Sequence, residues 1–360
     1  MPVDSKLTAS AEKLISEKLL VHYDRHARTL PWRAPPGANA TDPYRVWLSE
    51  IMLQQTTVAA VIPYFEKFTT RWPDVTALAA ADEAELMAAW AGLGYYARAR
   101  NLIACARAVA RDHGGAFPPD ADTLRTLPGV GAYTSAAISA IAFGRRAVAV
   151  DANVERVVAR LFAIDTPLPG GRREIDAAAD SITPDVRAGD FTQAMMDLGA
   201  TICTSRRPAC GICPLREDCA AFRTSDPAAF PVKAPKKAKP HRTGHAWWIE
   251  SGDHVWLERR PDKGLLGGMR GVPTSAWGEG ESGALDYPVA AHWTELADPV
   301  THVFTHFSLA LTVHTARVER DCMAGRDGEW WPKADLATAG LPTLFGKIAE
   351  AAMKEDIPCP

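Results

Sequence analysis

The stretch Cys203-Thr-Ser-Arg-Arg-Pro-Ala-Cys210-Gly-Ile-Cys213-Pro-Leu-Arg-Glu-Asp-Cys219 carries four cysteines within one short loop. Pro208, Gly211 and Pro214 bend the chain between them, so each thiolate can turn toward a shared centre. Four thiolates suit a [4Fe–4S] cluster or a structural zinc. Clustering this dense is not what ordinary buried or disulfide-paired cysteines produce. Spacing by itself does not choose between iron–sulfur and zinc, so the rest of the chain must. The other three cysteines, Cys105, Cys322 and Cys359, are scattered and read as structural or inert.

The 360 residues favour two domains. With 47% hydrophobic residues, and no apolar run long enough to span a bilayer, the composition is that of a globular protein without a membrane partner. Met1 to Leu30 is charged throughout and lacks a signal-peptide core, and the cysteine usage fits a reducing compartment. A cytoplasmic location is expected. Residues 1–225 hold 25 Lys+Arg against 25 Asp+Glu, residues 226–243 five against one, and residues 244–360 ten against seventeen. Any nucleic-acid footprint must therefore be local. Arg98, Arg100, Arg107 and Arg111 form one basic cluster, Arg145-Arg146 another, and Arg206-Arg207 a third inside the cysteine loop. Each alone reads as readily as a solvated face.

Helical spacing runs through residues 10–25, then from Tyr44 to about Ala60 with Pro63 close behind, from Thr76 to Ala91, and from Tyr95 to Asp112. Glu50 has Val46, Trp47, Leu53 and Gln54 three and four positions away, a mostly apolar setting that would desolvate a carboxylate and raise its pKa. A Glu at the edge of the stripe, reaching water, describes the same residues. Leu127-Pro-Gly-Val-Gly131 then joins a short helix from Asp122 to a small-residue helix ending at Phe143, forming a helix–hairpin–helix over about 122–143. Backbone N–H groups of Gly129, Val130 and Gly131 can there approach a phosphate, which positions DNA without reading its sequence. Asp151 begins another helix, where Asp is commonly an N-cap. Helices near Arg172–Ile182 and Phe191–Ile202 lead into the cysteine loop, so residues 1–225 read as all-α. Residues 226–243, with Pro227, Pro231, Pro235 and Pro240 among basic side chains, read as a semi-extended linker. Residues 244–360 switch to strand periodicity, with a hairpin at 245–259, strands at Val300–Thr305 and Ser308–Val318, and a helix from Leu341 to Met353.

Taken together, Trp47-Leu-Ser-Glu50-Ile-Met-Leu-Gln-Gln-Thr56, Gly92-Leu-Gly-Tyr95-Tyr96-Ala-Arg98, Leu127-Pro-Gly-Val-Gly131, Asp151-Ala-Asn153-Val and Gln193-Ala-Met-Met-Asp-Leu-Gly-Ala200 resemble the adenine DNA glycosylase (MutY) family of helix–hairpin–helix glycosylases. The Cys-x6-Cys-x2-Cys-x5-Cys spacing is that of the superfamily's iron–sulfur site. The resemblance implies an all-α glycosylase domain whose [4Fe–4S] loop is held by Cys203, Cys210, Cys213 and Cys219, followed by an α/β Nudix-like domain. It implies excision of adenine mispaired with 8-oxoguanine or guanine, from double-stranded DNA and by a monomer, with replication or repair proteins as further partners. Cleaving the glycosidic bond builds positive charge on the sugar and negative charge on the leaving base, after the nucleotide is flipped from the stack. By the resemblance Glu50 protonates the base, Asp151 stabilises the sugar cation, and Tyr133 and Asn153 orient the two carboxylates, a division of labour parallel to that of glycoside hydrolases. Gln55 and Tyr95 match residues that wedge into the duplex, and Arg206 and Arg207 would meet phosphates.

The related endonuclease III-like pyrimidine glycosylase/lyases place a Schiff-base lysine where Tyr133 stands. No lysine occurs between Lys67 and Lys233, so the resemblance implies a monofunctional enzyme. In the second domain, Glu258-Arg-Arg-Pro261 and Gly264-Leu-Leu-Gly-Gly268 resemble a Nudix fold, without the glutamate-rich magnesium helix. The family's 8-oxoguanine-reading loop, typically Phe-Ser-His, is here Phe304-Thr305-His306. Two other classes remain open on the sequence: a non-enzymatic iron–sulfur DNA-binding regulator, and a nucleotide-pool hydrolase that the missing magnesium helix disfavours.

Overall fold

The computed structural model describes residues 9–38, 41–224, 226–235, 239–261, 264–279 and 285–354, in two units, Met1–Pro235 and Lys236–Pro360. Cys359 and the linker residues Lys236 and Lys237 lie outside the described residues. The first unit is all-α: α1 (Ala9–His26), α2 (Pro43–Leu53), α3 (Val58–Arg71), α4 (Val75–Ala79), α5 (Glu83–Trp90), α6 (Tyr96–Asp112), α7 (Ala121–Arg125), α8 (Ala132–Phe143), α9 (Ala152–Leu161), α10 (Arg172–Ile182), α11 (Ala188–Asp197) and α12 (Ala220–Thr224).

Two expected helices are each broken in two. The apolar run from Tyr44 ends as a helix at Leu53, because Gln55 takes a left-handed φ of 56° and the Thr57 side chain caps a new helix by accepting from the Ala60 N–H. Pro63 therefore sits inside α3 instead of stopping its predecessor. The stretch from Thr76 to Ala91 breaks because Asp82 accepts the Glu85 N–H and starts α5 afresh.

The centre of this unit is α8. Its small residues from Thr134 to Ala142 are buried, and it packs against α2, α7 and α11. Smallness is what admits the neighbours: a Cβ on Gly189 of α11 would lie 2.5 Å from the Ala140 carbonyl oxygen. The hairpin turn before α8 depends on Gly129, whose φ is 73° and whose absent Cβ leaves room for the Asn101 side chain. After α11 the helix passes into a π-helical turn, Leu198–Ile202, that leads into the cysteine loop.

The expected linker over 226–243 is a smaller feature. Leu168 exchanges hydrogen bonds with Val232 O and the Ala234 N–H, so residues 226–235 return to the helical unit, while His241 already begins the sheet. The second unit holds β1 (His241–Ser251), β2 (His254–Arg259), β3 (Arg270–Gly271), β4 (Thr294–Glu295), β5 (Val300–Val303), β6 (Ser308–Arg317), β7 (Glu329–Pro332) and α13 (Thr343–Ala352). Its sheet runs β3-β2-β1-β6-β4, with β5 also on β6 and β7 also on β2. β1 and β6 run parallel, from His241 opposite Ser308 to Glu250 opposite Arg317. Side chains alternate across such a strand. Trp248 therefore joins the core under α13, whereas Trp247 and Ile249 join Trp256 and Met323 on the other face.

Gly199, in the π-helical turn, has no room for a methyl group: its Cβ would lie 2.6 Å from the Asn153 Cβ and 3.2 Å from the Asn153 backbone. Gly199→Ala is expected to displace the start of α9 and to destabilise the protein by about 1–3 kcal/mol through overpacking. A thermal melt measures the loss, and an unchanged melt would show that this contact does not constrain the turn.

Candidate active site

Every residue of α2 from Tyr44 to Met52 except Arg45 is buried, so the helix has no hydrophilic side through which Glu50 could escape. Glu50 as a residue is 8% exposed, and this decides between the two descriptions its sequence neighbours allowed. Burial pushes its pKa up to about 7. The hydrogen bond from Tyr133 and the nearby Arg33 oppose that rise, and the negative Asp151 adds to it. Tyr133, from the first turn of α8, donates its hydroxyl to Glu50 Oε2 at 2.9 Å. Burial holds the phenol well above its ordinary pKa, so it stays a donor.

Asp151 occupies a different environment. As the N-cap of α9 its Oδ1 accepts the N–H groups of Asn153 (2.9 Å) and Val154 (2.7 Å), and its Oδ2 accepts Asn153 Nδ2 at 3.0 Å. Three donors at the positive end of a helix suit a negative charge. Capping and a catalytic role are thus compatible in one side chain. Asn153 is fixed in turn by Arg156, whose Nη2 donates to Asn153 Oδ1 (2.8 Å) and Gly199 O (2.7 Å) while its Nε donates to Cys203 O (2.8 Å).

Glu50, Tyr133, Asp151, Asn153 and Gln55 line one cleft of about 540 Å³, large enough for a nucleobase and part of its sugar. Arg28, Arg33, Gln193 and Met196 also face it. Sequence reasoning passed over the first two. Arg28 Nε and Arg33 Nη1 both donate to Asp197 at the end of α11, at 2.6 and 2.8 Å. The signal was a pairing across more than 160 positions, which no local pattern displays.

Tyr95 does not line the cleft. It caps the start of α6 with φ 50° and is 61% exposed; Gln55, with φ 56°, is exposed as well. Two non-glycine residues in the left-handed region, both presented to solvent, fit side chains that enter a duplex. In the hairpin, Val130 is buried and its N–H bonds Leu127 O, so it forms the turn, while Gly131 stands at the N-terminus of α8.

Of the basic clusters, Arg146 is tied to Thr183 O, Asp180 and Asp185, and Arg111 to Asp112, whereas Arg206 and Arg207 are exposed. The loop carrying them is braced from within by Arg160. This 1%-exposed side chain donates to the carbonyl oxygens of Cys203, Thr204, Ser205 and Phe230 and to Cys203 Sγ at 3.3 Å.

Cys203, Cys210, Cys213 and Cys219 all line one cavity with Ile202, Pro208 and Phe222. Burial raises the thiols of Cys210, Cys213 and Cys219, Cys213 to about 11. An all-thiolate donor set around a cavity, with a cation beside Cys203, fits an iron–sulfur cluster, whose four irons each take one thiolate. Among the described residues no three His, Cys, Asp or Glu side chains close around a point that would hold a single metal ion.

In the second unit, Thr305 and His306 are exposed in the turn between β5 and β6. Phe304 is half-buried, stacked on Trp277 (5.9 Å) and beside Phe307 (4.8 Å), and its carbonyl accepts Lys239 Nζ at 2.8 Å. Phe304 therefore anchors the loop and leaves Thr305 and His306 as its presented tip. Arg260 lies over Trp277 and Arg242 over Phe307, at 4.9 and 4.4 Å.

An all-α unit with a Pro-Gly-x-Gly hairpin, a four-cysteine loop and two carboxylates in one base-sized cleft defines an iron–sulfur DNA glycosylase of the helix–hairpin–helix class. Residues 48–179 match the HhH-GPD superfamily of base excision DNA repair proteins, residues 203–219 the iron–sulfur binding domain of endonuclease III, and residues 245–351 the NUDIX domain. The adenine DNA glycosylase of Homo sapiens is 33% identical over 92% of this chain and 72% of its own length. That of Mycolicibacterium smegmatis is 45% identical over 55% of this chain and 66% of its own length. Among solved structures, a thermostable thymine-DNA glycosylase is similar at 29% identity, with a TM-score of 0.53 over 59% of this chain and 97% of that one. Endonuclease III in a non-covalent DNA complex, at 24% identity and a TM-score of 0.51, shares the fold. The chain belongs to the adenine DNA glycosylase family. It is accordingly a DNA N-glycosylase with a [4Fe–4S] cluster as cofactor, and no helix among its described residues is long and apolar enough to cross a membrane.

Because Glu50 has a folded-state pKa near 7 against an ordinary 4.5, the folded protein binds its proton more tightly, and stability from this group falls as pH rises from 4.5 to about 7. Glu50→Gln is expected to be more stable than wild type at pH 8 by about 3 kcal/mol, with the gap closing toward pH 4. Denaturant unfolding at the two pH values measures it; an equal gap at both would show that Glu50 is not held protonated by the fold.

Proposed function

We propose that this protein hydrolyses the N-glycosidic bond of adenine mispaired with 8-oxoguanine or guanine in double-stranded DNA, without strand cleavage. The observation that carries this reading is the pair Glu50 and Asp151. They share one cleft, one carboxyl withheld from water with a pKa near 7, the other fed by three hydrogen-bond donors at a helix start. Two carboxyl groups in opposed environments divide acid work from charge stabilisation.

In this reading, backbone N–H groups at Gly129 and Gly131 and the exposed Arg206 and Arg207 hold phosphates, and Gln55 and Tyr95 enter the stack as the adenine leaves it. Protonated Glu50 delivers its proton to the base. Tyr133 sets the carboxyl's orientation through its 2.9 Å hydrogen bond, and its own high pKa keeps it from competing as a base. As the base departs, Asp151 faces the developing sugar cation, kept in place by Asn153. Water completes the hydrolysis, with the now ionised Glu50 as the group that accepts its proton. The cluster supplies no electron to this chemistry and serves to hold its loop. Strand cleavage would need an amine nucleophile, and Tyr133 stands where a lyase would carry one. In the second unit Thr305 and His306 are read as the residues that meet 8-oxoguanine in the other strand; Thr305 keeps a hydroxyl donor and adds a methyl.

Single-turnover release of adenine from a duplex with adenine opposite 8-oxoguanine tests the reading. Wild type should release the base at a rate that declines above about pH 7, as Glu50 loses its proton, and Glu50→Gln should be slower by about 10²–10⁴-fold. No release by wild type would favour the rival, a non-enzymatic iron–sulfur DNA-binding protein. Borohydride should trap no adduct efficiently; an efficient adduct would replace the hydrolase with a lyase.

His306→Ala should weaken the preference for adenine opposite 8-oxoguanine over adenine opposite guanine and leave excision itself intact. Unchanged preference would remove the loop from the account.

A further inference from the structure

Arg98 heads the basic cluster that the sequence displays on α6, yet its guanidinium is turned inward. Nη1 donates to the carbonyl oxygens of Ile51 (3.2 Å) and Met52 (2.9 Å), at the end of α2. Nη2 donates to Thr56 Oγ1 (3.1 Å), Leu93 O (3.0 Å) and Gly94 O (3.4 Å). The group also lies 5.3 Å from the centre of the Tyr95 ring and 5.4 Å from that of Trp90. Among the described residues its hydrogen-bond acceptors include no carboxylate, and its Nε is buried without a partner. What fixes this cation is a fork of carbonyl and hydroxyl acceptors.

Those acceptors belong to two segments far apart in sequence. Met52 and Thr56 bracket Gln55, and Leu93 and Gly94 lead into Tyr95. Both bracketed residues hold φ angles, 56° and 50°, that an L-residue keeps only when its surroundings enforce them. Ile51 also follows Glu50 directly, and a cation at the C-terminus of α2 is favourably placed against the helix dipole.

We propose that Arg98 is a positioning residue that locks Gln55 and Tyr95 into one rigid wedge and fixes that wedge to the end of the helix bearing Glu50. Insertion into the duplex and delivery of the base to the acid are then a single movement. The proposal rests on the reading of Gln55 and Tyr95 as insertion residues. Lysine cannot stand in, because a compact ammonium with three donors cannot span both segments in the plane that a guanidinium fork provides.

The test uses full-length holoprotein and a duplex with 2-aminopurine or adenine opposite 8-oxoguanine, 2-aminopurine fluorescence reporting extrusion and adenine release reporting excision. Arg98→Lys is expected to lower both extrusion and single-turnover excision by about 10- to 100-fold, the scale of a misplaced but intact site, while the pH midpoint of excision stays that of wild type. Tyr95→Ala should show a similar loss, and the double variant should be no worse than either single one, since residues acting as one unit are not additive. Additive losses, or slowed excision with wild-type extrusion, overturn the proposal and leave the wedge reading standing. Wild-type extrusion by Tyr95→Ala removes the wedge reading and the proposal with it. Should Arg98→Lys fail to fold, Thr56→Val removes one acceptor only, and the same pattern at smaller size is expected; no change in extrusion there counts against the lock.

Discussion

Withholding one carboxyl group from water is the constraint on which the first unit depends. A helix with a polar side would have let Glu50 ionise as an ordinary surface acid. α2 has almost none, so burial penalises the charged carboxylate and Glu50 holds its proton up to about pH 7. The requirement propagates outward. Tyr133 must come from a helix that can lie close, hence the small residues of α8. Arg33 must stay near without neutralising the acid, and it does so by giving both its Nη1 bonds to Asp197. Asp151 lines the same cleft from a helix start, where three N–H donors hold its carboxyl group in place.

A second line of force runs from the cysteine loop into the cleft. Arg160 ties the loop's backbone to the body of the unit, and Arg156 spans from Cys203 O through Gly199 O to Asn153. Gly199 presses directly against Asn153 at a distance that excludes any side chain. The cavity lined by the four cysteines is thus coupled to the orientation of Asp151 by contiguous hydrogen bonds and one steric contact. The cysteine loop is thereby tied by its backbone to the helix start that carries Asp151.

The cysteine spacing, the hairpin pentapeptide and the switch from helical to strand periodicity were legible as they stand, because each is local. Glu50 and Asp151 were not legible from their own neighbourhoods. Their segments allowed a solvated edge and a plain N-cap, and only the combination of motifs gave them roles. The break at Gln54-Gln55 was missed because the apolar run continues across it and a left-handed φ at Gln leaves no mark in composition. Arg98 read as surface charge because its acceptors are backbone carbonyls on another segment, which have no sequence signature. Asp197 and its two arginines were hidden for the related reason that they meet only in three dimensions. The short strands β3, β4 and β7 take their identity from partners, having too few residues to show a period.

The return of residues 226–235 to the helical unit changes where that unit ends. By composition the proline-rich segment belongs to nothing. In the structure Phe230 packs against the helical core and its carbonyl receives Arg160 Nε, while Val232 and Ala234 pair with Leu168. A chain cut at 225 would strip an acceptor from a buried arginine that braces the cysteine loop, and would do so from the far side of the loop in sequence. The helical unit therefore includes a tail that looks dispensable by composition, and it runs to Pro235.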